Sequence, residues 1–244
     1  MKLLVLGAGY ATRLHPLTLD RPKPLLAVGG RPMVDRLLDS LRPIGFDAVY
    51  LVTNAKFAGQ FRDWAAGSGV AVVDDGTTSD EDRLGAIGDI GLVIEREEID
   101  DDLVVVAGDN LFSEPLGDFG RAARERAAPL LAVHDVGDLD LIRGRYNTIE
   151  IDDDGRLTYF EEKPAEPRST LSGIGLYFYP RATLPLIRQY LAEGNNPDQP
   201  GRLVQWLYPR TEVFTWRVPG LWFDVGSHEQ LDEADRVFSA LGSP

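Results

Sequence analysis

The chain has 244 residues, 43% of them hydrophobic, and a formal net charge of -14. That length and apolar share allow one large domain or two small ones with a sizeable core. The acidic balance argues against nucleic acid and anionic membranes as partners, and the absence of cysteine removes disulfides, thiolate metal sites and cysteine nucleophiles.

No apolar run reaches the roughly 18 residues of a membrane span. Met1-Lys2 leads straight into a strand-like run with no signal-peptide pattern, so a cytoplasmic protein is expected.

Strand-like and helix-like runs alternate, which predicts an α/β fold around a mixed, mainly parallel sheet. Residues 3–6 form the first strand, ended by Gly7-Ala8-Gly9. The stretch that follows has prolines at 16, 22, 24 and 32 and cannot be a regular helix. Val34, Leu37, Leu38 and Leu41 then recur at helical spacing, with Pro32 suited to the first turn. Residues 48–52 read as a buried strand. Phe57, Phe61 and Trp64 mark a short helix closed by Gly67, and residues 70–73 a third strand. Residues 74–83 are a polar loop, and 84–97 read as a helix despite Gly85, Gly88 and Gly91.

A strand at 103–107 ends in Gly108-Asp109-Asn110, before a helix near 117–127 and a strand near 130–135. Residues 146–151 and 157–161 read as a hairpin around Asp154-Gly155. A strand at 173–179, helices at 181–193 and 202–208, short strands at 213–218 and 221–225, and an amphipathic helix at 228–241 complete the pattern. There is no repeat, low-complexity tract or long linker.

The charge is uneven. Residues 1–45 carry +4 and the remainder -18, a local positive region better suited to a small polyanion than to a polymer. Only four lysines accompany 21 arginines, and two of the four stand in the same context, Lys23-Pro24 and Lys163-Pro164. Lysine is a compact point charge and arginine a planar fork, so in a chain that mostly uses arginine this repetition is expected where a point charge is needed, with chance as the alternative.

Gly7-Ala8-Gly9 after a strand invites a dinucleotide-binding reading, but that fingerprint needs a third glycine and an immediate helix. For a lone G-x-G a plain structural turn is the better reading. The whole stretch says more: backbone amides can cradle a triphosphate, and Arg13 and Lys23 can neutralise charge on a leaving pyrophosphate. Asp109 and Asp224 each end a short apolar run, where open α/β sheets bind ligands. Each alone could be a turn aspartate. Together they could share one Mg²⁺, which binds nucleotides through one or two carboxylates and phosphate oxygens. Glu162 and Lys163 close a hairpin strand, as a surface charge cluster or as contacts to hydroxyls and a second phosphate. His15, His134 and His228 show no ligand spacing.

The order Gly7-x-Gly9, Thr12-Arg13-Leu14, Pro22-Lys23-Pro24-Leu25, Gly108-Asp109-Asn110, Glu162-Lys163-Pro164 and Trp222-Phe223-Asp224-Val225-Gly226-Ser227 resembles the sugar-1-phosphate nucleotidyltransferases. The resemblance spans the chain and is closest to the short form without a C-terminal β-helix domain. It implies a three-layer nucleotide-binding sandwich, one domain over residues 1–244, with 1–135 mainly for the nucleotide and 136–244 mainly for the sugar phosphate.

It also implies transfer of NMP from an NTP to a sugar 1-phosphate or pseudo-sugar 1-phosphate, giving an NDP-sugar and pyrophosphate, with Mg²⁺. Arg13 and Lys23 match the activating cations, and Asp109 and Asp224 the metal ligands. Leu6, Gly7, Ala8, Gly9, Asp80, Gly85 and Gly108 match nucleotide contacts; Asn147, Glu162, Lys163 and Gly173 match sugar-phosphate contacts. Such a reaction needs positioning and charge neutralisation and no triad, because a phosphate monoester is already an ionised nucleophile. The expected partners are these small molecules, with neither nucleic acid nor membrane; homo-oligomerisation is left open.

Two positions depart from the family. Ala11 stands where glycine is usual, and is strained if that position needs φ > 0. Asn147 stands where many hexose-specific members have glycine. Asp80 stands where thymine- and uracil-using members carry glutamine. A carboxylate only accepts hydrogen bonds, which favours GTP, with CTP next. Alternatives are cytidylyl, thymidylyl or uridylyl transfer, a phosphocholine or phosphonate acceptor, and, in another class, a non-catalytic nucleotide-sugar-binding regulatory protein.

Overall fold

A computed structural model describes residues 1–241. In chain order its elements begin with β1 (Lys2–Leu6), β2 (Ala27–Val28), β3 (Arg31–Pro32), α1 (Met33–Leu41), β4 (Ala48–Thr53), α2 (Ala58–Ala65) and β5 (Val70–Asp74). Then come α3 (Ala86–Arg96), β6 (Leu103–Ala107), β7 (Asn110–Phe112), α4 (Gly117–Arg126), β8 (Leu130–Asp135) and α5 (Leu139–Ile142). The hairpin strands β9 (Asn147–Ile151) and β10 (Leu157–Glu162) precede β11 (Leu171–Tyr179), α6 (Leu184–Ala192) and α7 (Pro200–Leu207). The described chain closes with β12 (Phe214–Arg217), β13 (Trp222–Asp224) and α8 (His228–Leu241).

The chain folds into two compact units. One comprises Met1–Arg83, Val106–Gly117 and Pro219–Pro244, the last segment described to residue 241; the other comprises Leu84–Val105 and Asp118–Val218. In the first, β1, β4 and β5 run side by side and parallel, with Leu3 opposite Val49 and Val49 opposite Val70. Leu3, Leu4, Val5, Leu51, Val52 and Phe61 are buried, the mark of a parallel sheet covered on both faces. A second cluster gathers Leu14, Leu26, Val28, Met33, Leu111, Val225 and Phe238. It anchors the proline-rich stretch by Leu14 and Leu26, so that stretch is fixed in place without regular structure.

In the second unit β8 pairs parallel with β12 and antiparallel with β11. The α/β class with a mixed, mainly parallel sheet is therefore as expected. Helices α3, α6 and α7 pack on one another, burying Ile90, Ile94, Ile187 and Leu203.

Several boundaries differ from the sequence reading. The helix read at 84–97 starts at Ala86, because Gly85 takes φ +78° and ψ 159° and lies outside it. Pro32 precedes α1 in an extended conformation instead of entering its first turn. The helix read at 181–193 is a 3₁₀ turn, Arg181–Thr183, followed by α6. Two further 3₁₀ turns, Thr12–Leu14 and Lys23–Leu25, sit in the proline-rich stretch, where a turn of three needs no long run of free amides.

Candidate functional site

In the first unit the loop after β1 is held from behind. Gly7 N–H donates to the Val52 carbonyl at 2.9 Å, and a Cβ on Gly7 would crowd that oxygen at 3.1 Å. Buried Asn54 donates its Nδ2 to the Ala8 carbonyl at 2.8 Å. Ala11 adopts φ 50°, ψ 43°, the left-handed conformation. Its carbonyl accepts from Leu14 N at 3.0 Å and from Thr18 Oγ1 at 2.8 Å, which holds the strained residue in place. Ala11→Gly removes the Cβ clash but loosens the unfolded chain. The net expectation is stabilisation by about 0.5 kcal/mol, read as a small rise in Tm; a fall in Tm would contradict the strain.

Gly108 answers a packing demand. Its N–H donates to the Leu6 carbonyl at 2.8 Å, and a Cβ there would sit 2.8 Å from the same oxygen and 3.0 Å from Pro24 Cγ. This close approach sets Asp109 beside Lys23. Lys23 is only 9% exposed and donates its Nζ to Asp109 Oδ2 at 2.6 Å. Asp109 Oδ1 accepts from Asn110 Nδ2 at 3.0 Å, and Asn110 Oδ1 accepts from Trp222 Nε1 at 2.6 Å. Asn110 and Trp222 thus orient the carboxylate. Both lie within motifs of the resemblance, Gly108-Asp109-Asn110 and the run from Trp222 to Ser227, but nothing in the sequence marks them as ligand-orienting groups.

Asp224 reaches the same place through β7 and β13. Their antiparallel register sets Asp224 opposite Asn110, and Val225 N–H donates to the Asp109 carbonyl at 3.2 Å. Burial tends to raise the Asp109 carboxyl, but the charge and hydrogen bond of Lys23 outweigh it and hold it below the usual carboxylate range. Asp224 is pushed up to about 6 by burial and by the negative charge of Asp109, against the pull of Lys23 and Arg13. Arg13 is exposed, and its guanidinium lies over Gly226, where a Cβ would meet it at 3.5 Å. Arg13, Lys23, Asp109 and Asp224 therefore form one electrostatic group.

Asp80 is in the loop after β5. Its carboxylate pairs with Arg83 at 3.0 Å, both side chains being exposed. The loop is shaped by Asp82, which accepts from the backbone N–H of Ser79 at 2.8 Å and of Thr78 at 3.1 Å.

In the second unit, Gly85 is demanded by backbone: a Cβ would meet the Pro197 carbonyl oxygen at 2.7 Å. That carbonyl accepts Ile87 N–H at 2.8 Å, satisfying a donor in the first turn of α3. Buried Asn147 clamps Gly173 with both ends of its amide, donating Nδ2 to the Gly173 carbonyl at 2.8 Å and accepting Gly173 N–H at 2.6 Å. Much of its hydrogen-bonding capacity is committed to the protein. Glu162 is half-buried, and burial raises its carboxyl against the opposing charges of Lys163 and Arg202. Lys163 is exposed and takes φ +51°, an unusual conformation for the residue before a proline. Its N–H donates to the Tyr146 carbonyl at 3.0 Å, which fixes the strained turn.

A model of the nucleotidyl transferase family matches residues 2–239. The chain belongs to this family. It is 30% identical to a glucose-1-phosphate thymidylyltransferase of Streptomyces antibioticus, over 97% of this chain and 66% of that protein. It is 28% identical to a UTP–glucose-1-phosphate uridylyltransferase of Haloferax volcanii, over 97% of this chain and 96% of that one. Other relatives, mannose-1-phosphate guanyltransferases among them, are spanned over about 60% of their length. A solved structure from Bacillus anthracis, designated a glucose-1-phosphate thymidylyltransferase and complexed with sucrose, superposes with a TM-score of 0.84. It covers 100% of this chain and 97% of its own at 23% identity, which establishes the shared fold. The relatives' names are those of the group that the motifs resemble.

As a nucleotidyl transferase the chain presents an oxygen donor set that suits a hard divalent cation. Among the described residues no group of three or more His, Cys, Asp or Glu could hold a metal. Two adjacent carboxylates, with Asp224 raised by burial and by its neighbour's charge, nevertheless fit Mg²⁺, which keeps several waters and takes further oxygens from phosphates. No described helix is long and apolar enough to cross a membrane.

Proposed function

We propose that the protein transfers a nucleoside monophosphate from an NTP to a sugar 1-phosphate, releasing pyrophosphate, with Mg²⁺ held by Asp109 and Asp224. The observation that supports this most is the group formed by Arg13, Lys23, Asp109 and Asp224: two cations for phosphate oxygens beside two carboxylates for one metal ion. When bound, the ion would neutralise phosphate charge. Lys23 and Arg13 would stabilise the charge that builds on the departing pyrophosphate. In the second unit Glu162 would accept from sugar hydroxyls and Lys163 would hold the sugar phosphate. In a transfer of this class a phosphate oxygen of the sugar 1-phosphate attacks the α-phosphorus in line, and no proton has to be removed from it first.

For the base we propose guanine, read by Asp80. A carboxylate accepts from two adjacent N–H donors, which guanine offers. The exposed pair with Arg83 is worth little and would yield to a ligand readily. Relatives named as guanyltransferases are compatible with this choice. Pyrophosphate release measured with the five common nucleoside triphosphates, each with several sugar 1-phosphates, tests both parts. GTP should be preferred, and Asp80→Gln should weaken that preference by about tenfold. Preference for dTTP or UTP, unchanged in Asp80→Gln, would sink the base assignment. No release above a Lys23→Ala control with any pair would favour a non-catalytic binder.

A further inference from the structure

Glu162 ends β10, and its carboxylate lies against the first turn of α7 in the same unit. A Cβ on Gly201 would collide with Glu162 Oε2, and would stand 3.1 Å from Phe160 Cζ. The backbone of Gly201 is helical, so its conformation gives no reason for glycine. Glycine is in fact less favourable than alanine inside a helix. The absent side chain is what leaves room for the carboxylate.

Other parts of α7 act on the same residue. Gln205 Oε1 accepts the Glu162 backbone N–H at 3.2 Å. Arg202 favours the ionised form of Glu162, and its own Nε donates to Gln199 Oε1 at 2.7 Å. The positive end of the helix favours a carboxylate as well. Without these contacts a glutamate at a strand end would have several rotamers open to it.

We propose that Gly201 is a positioning residue for Glu162: by lacking a side chain it lets α7 seat the carboxylate in one orientation, and so sets how the sugar is selected. This rests on the reading of Glu162 as the contact to sugar hydroxyls. The atom in outright collision is the end of a flexible side chain, and the Phe160 ring edge has to give by only a few tenths of an ångström, so a methyl group at position 201 would turn the carboxylate aside without unfolding the unit.

The test is Gly201→Ala in the full chain. Its Tm should stay level or rise by about 2 °C, since alanine favours the helix. The KM for sugar 1-phosphate should rise by about tenfold or more, the worth of a hydrogen bond to a charged group, while the KM for NTP changes by less than about twofold. A crystal structure of the variant should show the Glu162 carboxylate turned away from α7. The shorter side chain of Glu162→Asp should also cost less in the Gly201→Ala background than in the wild type. A carboxylate still seated on α7, equal changes in both KM values, or simple additivity of the two substitutions would each overturn the inference. A wild-type protein that releases no pyrophosphate with any sugar phosphate would overturn the transferase reading instead. The crystal structure would then still decide whether Gly201 seats Glu162.

Discussion

Replacing Lys23 with alanine is expected to lower kcat for nucleotidyl transfer by about 10²- to 10³-fold, the usual loss for one preorganised charge-stabilising group. It should also lower Tm. Lys23 is nearly buried, and its ammonium lies 2.6 Å from Asp109. Without it, Asp109 and Asp224 confront one another, offset by the charge of exposed Arg13 and the hydrogen bond from Asn110 to Asp109. Breaking a buried pair by removing one partner costs about 3 kcal/mol, most of it from the charge left behind. Partial exposure of Asp109, 31% at its side chain, makes that figure a ceiling.

The loss has a pH signature. Lys23 holds the folded-state Asp109 carboxyl below its unfolded value. The stability it contributes is therefore present above the unfolded pKa of about 4 and disappears as pH falls through the folded value. Tm curves of wild type and Lys23→Ala should lie furthest apart near neutral pH and converge below about pH 4. Parallel curves would mean that Lys23 acts on stability through packing alone, and an unchanged kcat would remove it from the chemistry.

What the sequence disclosed about this site follows the range of the interactions involved. The apolar runs before Gly7 and Gly108 became β1 and β6, because a buried parallel strand is marked by its own residues. The left-handed Ala11 was legible as a conditional, since only the structure supplies its φ of 50°. The strand-end positions of Asp109 and Asp224 allowed them to meet at one Mg²⁺, but the pairing that brings them together was not legible from pattern. It depends on the pairing of β7 with β13, more than a hundred residues apart in the chain; β13 lies within the strand read at 221–225, but β7, three residues long, has too little periodicity to announce itself. The resemblance, which gives both residues as metal ligands, pointed the same way. The seating of Glu162 on α7 was hidden for a similar reason, because the informative residue is a glycine whose meaning is the space it leaves. The two units were invisible as a boundary because β6 is divided between them at Val105 and Val106, inside a continuous apolar run.

Asp224→Asn should separate stability from activity. The folded protein holds the Asp224 carboxyl at about 6 because burial and Asp109 both oppose its charge. A carboxyl raised in the folded state stabilises the protein when protonated. That contribution is complete below the unfolded value of about 4 and lost as pH rises through about 6. Asparagine keeps the size and drops the charge, so above about pH 6 the variant should be more stable than the wild type without metal. The pKa difference corresponds to about 3 kcal/mol at most, and partial solvent access reduces the expected gain to about 1–2 kcal/mol. That is a rise of about 2–6 °C in Tm. Mg²⁺ and NTP together should reverse the order: they stabilise the wild type by mass action, whereas the variant has lost one of two charged ligands. Turnover should fall by about 10²-fold or more, since the ion would be held by Asp109 alone. Thermal melts at about pH 5 and 8, with and without Mg²⁺ and NTP, read the stability outcomes, and a pyrophosphate-release assay reads turnover. A variant less stable than the wild type at the higher pH without metal would show that Asp224 is not opposed by Asp109. One that keeps full turnover would remove it from the metal site. Stability conceded at Asp224 and regained on binding is what a ligand position is expected to show, and a turn aspartate would show neither the gain in the apo variant nor its reversal by metal.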